Sequence, residues 1–346
     1  MSPIDNRSSA AAKPAATERS RSNRFLQSLL RVSIVLLALA PFVYAIYKQW
    51  PDVYSALGDI YWPQLSLGLG LLILFTPLMG IIPWLTLRYL GVRQSMLKIC
   101  GLYFISQLAK YLPGGIWAYP GRIVAYEASG IERVPAIVSV SREVIALFLG
   151  AAALAMTGVF LKLHVQPWMQ AATVFGIVCC ALVLLMTQVP AVWHGLSRWR
   201  LFQRSALALL GEAQTTFSLR WLPLVSVTSL VFWLGTGLAF LQLVRAVEPT
   251  AALTWLQASS IFALAWCVGF VIFFLPAGFG ARELVLSYLL SRFIATGDAL
   301  AVTLLARFWW MGAEAVFMAI SPFLLIQKQI KPGSPSEESG AGKAKI

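Results

Sequence analysis

Long stretches of this chain run without a charged side chain, among them Ile60–Leu87 (28 residues), Trp221–Val244 (24) and Pro249–Ala281 (33). A helix of about 20 apolar residues crosses a hydrocarbon core, so each run is long enough to span a bilayer. Of the 346 residues, 59% are hydrophobic and 12% charged, with a mean hydropathy of +0.75. Little is left over for a soluble domain, and the chain reads as an all-α polytopic membrane protein. The net charge of +13 does not point to nucleic acid. Most of its basic residues sit in loops and tails, where they set topology and attract anionic lipid. Cys100, Cys179, Cys180 and Cys267 lie in apolar segments without metal-ligand spacing, as small packing residues do.

Positive charge orients the spans. The N-terminal tail carries Arg7, Lys13, Arg19, Arg21, Arg24 and Arg31 against Asp5 and Glu18, which places it in the cytoplasm. Arg21, Arg24 and Arg31, followed by Val32–Leu39 and Ala38-Leu39-Ala40, resemble a signal peptide. Pro41 disfavours cleavage there, so Leu30–Tyr47 reads as an uncleaved first span. Span two covers about 64–87, and Arg88, Arg93 and Lys98 mark a cytoplasmic loop. Further spans fall at about 134–161, 170–188, 222–244 and 298–326. The basic stretch Arg198, Arg200, Arg204 and Arg220 is again cytoplasmic. Within it, Trp199–Phe217 reads as an interfacial amphipathic helix or a plain loop. His164 and His194 lie near span ends. Residues 1–28 and 329–346 are expected to be disordered cytoplasmic tails around a membrane domain at 29–328.

Two segments do not fit simple crossings. Leu112-Pro113-Gly114-Gly115 and Leu275-Pro276-Ala277-Gly278 interrupt apolar sequence with helix-breaking residues. Open backbone survives at membrane depth only when it is buried in protein or lines a wet cavity. The orientation rule requires 99–133 to begin and end inside, and 255–293 to begin and end outside. Both then read as re-entrant hairpins, broken at Pro113, Gly114, Gly115 and at Pro276, Gly278, Gly280. The result is six to eight membrane helices in an inverted repeat with halves at about 60–162 and 220–327. Segment 255–275 is also long enough to cross fully, which is the alternative to the second hairpin.

Eight charges lie in or beside these apolar segments: Lys110, Arg122, Arg142, Arg282 and Arg307, with Glu143, Glu283 and Glu314. Each lone charge at the bilayer centre costs roughly 2.5–3.5 kcal/mol. Five cations against three carboxylates leave a cationic surplus, which suits an anionic group such as a phosphate. On that reading the cations bind a lipid headgroup and the carboxylates balance charge. The alternative is structural ion pairing, Arg142 with a neighbouring Glu or Arg307 with Glu314, seven residues on. Trp117, Trp309 and Trp310 fit an interfacial aromatic belt, with a place on a cavity wall as the alternative. No Walker loop, HExxH or GxSxG pattern is present, so no catalytic residue, metal or cofactor is expected. Asp52 and Asp59 in the first outside loop offer a second hypothesis, a membrane enzyme acting on lipid-linked sugars.

At these residues the sequence resembles the lysylphosphatidylglycerol synthase transmembrane-region family, also called the flippase-like domain family. The resemblance rests on Lys110-Tyr111-Leu112-Pro113-Gly114 with Ile116-Trp117, on Gly121-Arg122, and on Pro276-x-Gly278-Phe279-Gly280-x-Arg282-Glu283 with Arg307 beyond it. Ala277 departs from the glycine more usual there. The resemblance implies the translocase-like part without the soluble synthase domain. It points to an anionic phospholipid or a polyprenyl-phosphate lipid as cargo, in a bacterial cytoplasmic membrane. A lipid-synthesising enzyme or glycosyltransferase is the implied protein partner, and a scaffold for such enzymes is a third hypothesis.

Overall fold

The computed structural model describes residues 50–111, 117–160, 165–188, 219–272 and 280–326, together with Tyr44, Tyr47 and Lys48. The tails, most of Leu30–Tyr47, His164, His194, Trp199–Phe217, and Pro113, Gly114, Gly115, Pro276 and Gly278 lie outside the described residues. Every regular element described is helical. In chain order these are α1 (Trp50–Gly58), α2 (Trp62–Phe75), α3 (Pro77–Tyr89), α4 (Met96–Gln107) with a 3-10 turn Leu108–Tyr111, α5 (Ala118–Ala128) and α6 (Arg133–Phe160). After these come α7 (Pro167–Gln188), a 3-10 turn Leu219–Trp221, α8 (Leu222–Val247), α9 (Trp255–Val271), α10 (Ala281–Leu290) and α11 (Thr296–Ile326).

Four stretches among the described residues are long and apolar enough to cross a membrane: Trp62–Tyr89, Arg133–Gly158, Leu222–Val247 and Thr296–Leu325. The first is α2 and α3 joined at Thr76, where Pro77 removes a backbone donor and Thr76 Oγ1 donates to the Leu72 carbonyl at 2.7 Å. α7 and α9 are shorter apolar helices. Both Pro-Gly segments separate one helix from the next: α4 and its 3-10 turn end at Tyr111 before α5, and α9 ends at Val271 before α10.

The opening long helices α2 and α8 pack on each other. α4 packs on α11, and α9 packs on α6. Small residues permit the close approaches, as is usual between membrane helices. A Cβ on Gly237 would lie 2.5 Å from the Ser259 Cα, so α8 and α9 are in backbone contact there. α3 and α4 meet similarly at Gly80 and Cys100. Cys100, Cys180 and Cys267 are buried, and all four cysteines are free thiols.

The two ends of the bundle differ in charge. At one end Asp52, Asp59, Glu248 and Asp298 line a single shallow cavity with the start of α11. The Thr250 hydroxyl and N–H donate to Glu248 and hold its carboxyl below the ordinary range. The chain from Arg88 through Arg93 to Lys98 and the start of α6 at Arg133 belong to the opposite end. There Lys98 Nζ donates to the Ser129 carbonyl at 3.0 Å.

Candidate functional site

One cavity of about 530 Å³ collects residues from both interrupted helix pairs and from the long helices between them. Its polar part holds Lys110 from the 3-10 turn, Arg122 from α5, Glu143 from α6, Arg282 from α10, and Arg307 and Glu314 from α11. Its apolar part holds Val144 and Leu147, Phe175, and Trp266 with Phe270. The last two are one helical turn apart on α9 and stack with centroids 5.1 Å apart.

The charges are matched across helices. Lys110 Nζ donates to Glu314, which also accepts from Trp310 Nε1 at 2.9 Å. The Arg122 guanidinium is fully buried, donates to Glu143, reaches Ser106 Oγ at 2.9 Å and lies 4.0 Å over the Tyr103 ring. Arg122 Nη2 and Glu143 Oε2 have no hydrogen-bond partner among the described residues. Arg307 Nη1 lies 3.4 Å from Glu283 Oε1. The other oxygen of Glu283 accepts the Gly280 N–H at 2.8 Å, which caps α10. Gly280 sits at φ +86°, a left-handed conformation that costs other residues energy. The Arg282 guanidinium lies over the Phe262 and Trp310 rings, at 4.7 and 5.3 Å.

Four of the five cations taken from the sequence therefore line one cavity. Arg142 lies elsewhere, buried with its guanidinium 4.8 Å from the Trp221 ring. Glu143 and Glu314 line the cavity, and Glu283 reaches it through Arg307. Around the cavity four cations (Lys110, Arg122, Arg282, Arg307) face three carboxylates (Glu143, Glu283, Glu314), which leaves one positive charge in excess among these groups. Of the ion pairs offered as the structural alternative, Arg307 and Glu314 are each seen with a partner on another element, Glu283 and Lys110. Trp309 and Trp310 are 6% and 8% exposed, so they are wall and core residues rather than belt residues, whereas Trp117 is half exposed. Sequence reading missed Tyr103, Gln107 and Tyr119. Gln107 Nε2 donates to Tyr103 Oη at 2.6 Å, and the three add neutral polar groups to the cavity wall. Their only signal in the sequence was proximity to the first break.

No curated protein matches the chain. Residues 28–311 match the family model described as the lysylphosphatidylglycerol synthase TM region. That match covers most of the chain, so the protein belongs to this family of membrane domains tied to lipid metabolism.

Proposed function

We propose that this domain binds an anionic lipid headgroup in the cavity between its two helix breaks and passes the lipid from one leaflet to the other. The observation behind this reading is a cationic surplus, among the described residues, in a cavity whose wall is largely apolar. Buried charge in a membrane is tolerated when it is paired or serves a ligand, and among the described residues around the cavity four cations face three carboxylates. Arg282 and Arg307 present guanidinium groups that match phosphate geometry. Both an anionic phospholipid and a polyprenyl-phosphate lipid carry that group next to a hydrocarbon chain. A headgroup phosphate would complete the charge balance, while Val144, Leu147, Phe175 and Phe270 suit hydrocarbon.

An inverted repeat with two hairpins accounts for the architecture. Helices α5 and α10, at 11 and 10 residues, are roughly 15–17 Å long, about half of the hydrocarbon thickness. The residues flanking the first pair meet through Lys98 and Ser129. Thr250 and Ala251, before the second pair, lie with Ser291–Ala295, after it. The first meeting is at the basic end of the bundle and the second at the acidic end, as hairpins from opposite faces require. The reciprocal packing of α4 on α11 and α9 on α6 is what a two-fold relation between the halves produces. The positive-inside rule then puts the basic end and both termini in the cytoplasm of a bacterial cell.

Retained lipid provides the test. Protein purified in mild detergent is expected to carry an anionic lipid visible by native mass spectrometry. Arg282→Ala with Arg307→Ala is expected to lose it, since each charge-assisted hydrogen bond is worth about 1.5–3 kcal/mol. Unchanged retention in the double variant, at normal accumulation, would overturn the headgroup site. The enzyme hypothesis places chemistry on Asp52 and Asp59, which line a separate cavity at the acidic end. Asp52→Asn with Asp59→Asn is therefore expected to leave retention intact, and loss of lipid turnover in that variant would favour the enzyme.

A further inference from the structure

Among the described helices, none closes one side of the cavity by substantial packing. Its floor is α6 and α9, which pack along each other. α7 rests on these two helices, and among the described elements it makes substantial packing with no others. α5 also packs on α6, yet no substantial packing joins α5 to α7. Both line the cavity, α5 through Tyr119 and α7 through Phe175, with Val144 and Leu147 of α6 between them. Phe175 is 60% exposed and Tyr119 is half-buried, so the cavity is open to the surface at α7, and among the described elements α5 and α7 border a gap.

The other flank of α7 is fastened. Gln166, just before α7, donates from Nε2 to Tyr288 Oη of α10 at 2.5 Å. In its middle α7 seats directly on α6, where a Cβ on Gly176 would lie 2.0 Å from the Phe148 ring. The gap between α5 and α7 is thus bounded by fixed contacts on the α7 side. Along α6 its floor changes from the Glu143 carboxylate to Val144 and Leu147 within about one helical turn, which runs from polar to apolar.

We infer that the α5–α7 gap is a lateral portal. Through it the hydrocarbon chain of a bound lipid leaves the cavity for the bilayer, while the headgroup phosphate stays with Lys110, Arg282 and Arg307. The inference rests on the headgroup reading above. The occupant follows from charge and polarity together. The cationic surplus calls for an anion, and the apolar floor calls for a chain attached to it. Size agrees, because a cavity of about 530 Å³ falls in the range that encloses a small molecule, roughly 300–1,000 Å³. A lipid whose headgroup fills that space has to place its chain outside.

Photolabelling of the full chain in nanodiscs tests the portal. Two probes are used in parallel, phosphatidylglycerol with a diazirine in one acyl chain and a polyprenyl phosphate with a diazirine in its chain. Labelling at Tyr119, Val144 and Phe175 is expected several-fold above that at Leu67 and Leu74, exposed residues of α2. It should fall to the α2 level in the Arg282→Ala, Arg307→Ala double variant. Val144→Trp, which fills the floor of the gap, should also remove it. Labelling by only one probe supports the portal and identifies the chain type. Gap labelling no higher than on α2, while lipid retention still depends on the arginines, overturns the portal and leaves the headgroup site standing. Strong gap labelling that ignores the arginine substitutions overturns both.

Discussion

Arg307 and Glu314 lie seven residues apart on α11, and each finds a partner on a different break: Arg307 at Glu283, beside the second, and Glu314 at Lys110, beside the first. The buried member of the set is Arg122 with Glu143. Removing one partner of a buried pair strands the other charge and typically costs about 3–5 kcal/mol, whereas replacing both with apolar side chains can be neutral. Arg122→Met is therefore expected to lower the unfolding temperature in detergent sharply. Arg122→Met with Glu143→Leu should recover most of the loss, and a double variant no better than the single would show that the pair is not the source. For Lys110 and Glu314 the exchange Lys110→Glu with Glu314→Lys should restore stability lost in either single variant. The eight charges were legible in the sequence because apolar surroundings make a charge conspicuous. Their pairing was not, because Arg122 meets Glu143 across 21 residues and Lys110 meets Glu314 across 204. Sequence distance carries no information about either contact.

At the scale of elements, α2, α3 and α8 follow from uninterrupted apolar runs, α6 and α11 stay helical through the charges they carry, and the Pro-Gly segments fall where helices end. Contacts between helices were less legible. Gly237 and Gly70 look alike in sequence, each within an apolar helix, yet only Gly237 faces another backbone, while a Cβ on Gly70 meets nothing within 4 Å. Gly237→Ala should force α8 and α9 apart and cost about 1–3 kcal/mol, as overpacking does. Gly70→Ala should be neutral or stabilising by up to about 1 kcal/mol from helix propensity. Thermal unfolding of the two variants in the same detergent checks the contrast, and equal shifts would contradict the close approach. The tryptophans show the same limit. Trp309 and Trp310 are adjacent on a long helix near charged residues, which is how belt residues look, but tertiary packing turns both inward.

For the whole molecule, orientation rests on the contrast between an acidic and a basic end. Thr250, at the acidic end, and Arg93, in the basic loop, are both exposed. A cysteine at position 250 should react with an impermeant thiol reagent in intact cells, and one at 93 should react only after permeabilisation. The reverse pattern would invert the orientation, and equal labelling would break the hairpin topology. The class, the two breaks and a shared polar cavity between them could be read from the chain, because hydrophobic length, helix breakers and surplus charge act locally. The wall of that cavity could not, since it forms where α3 to α7 and α9 to α11 meet.

Glu283 accepts the Gly280 amide with one oxygen and faces Arg307 with the other. A phosphate that engages Arg307 competes for the same guanidinium. On the proposed headgroup reading, Glu283 would then be held chiefly by the Gly280 amide that starts α10, and an occupied cavity and an empty one would load the start of that helix differently.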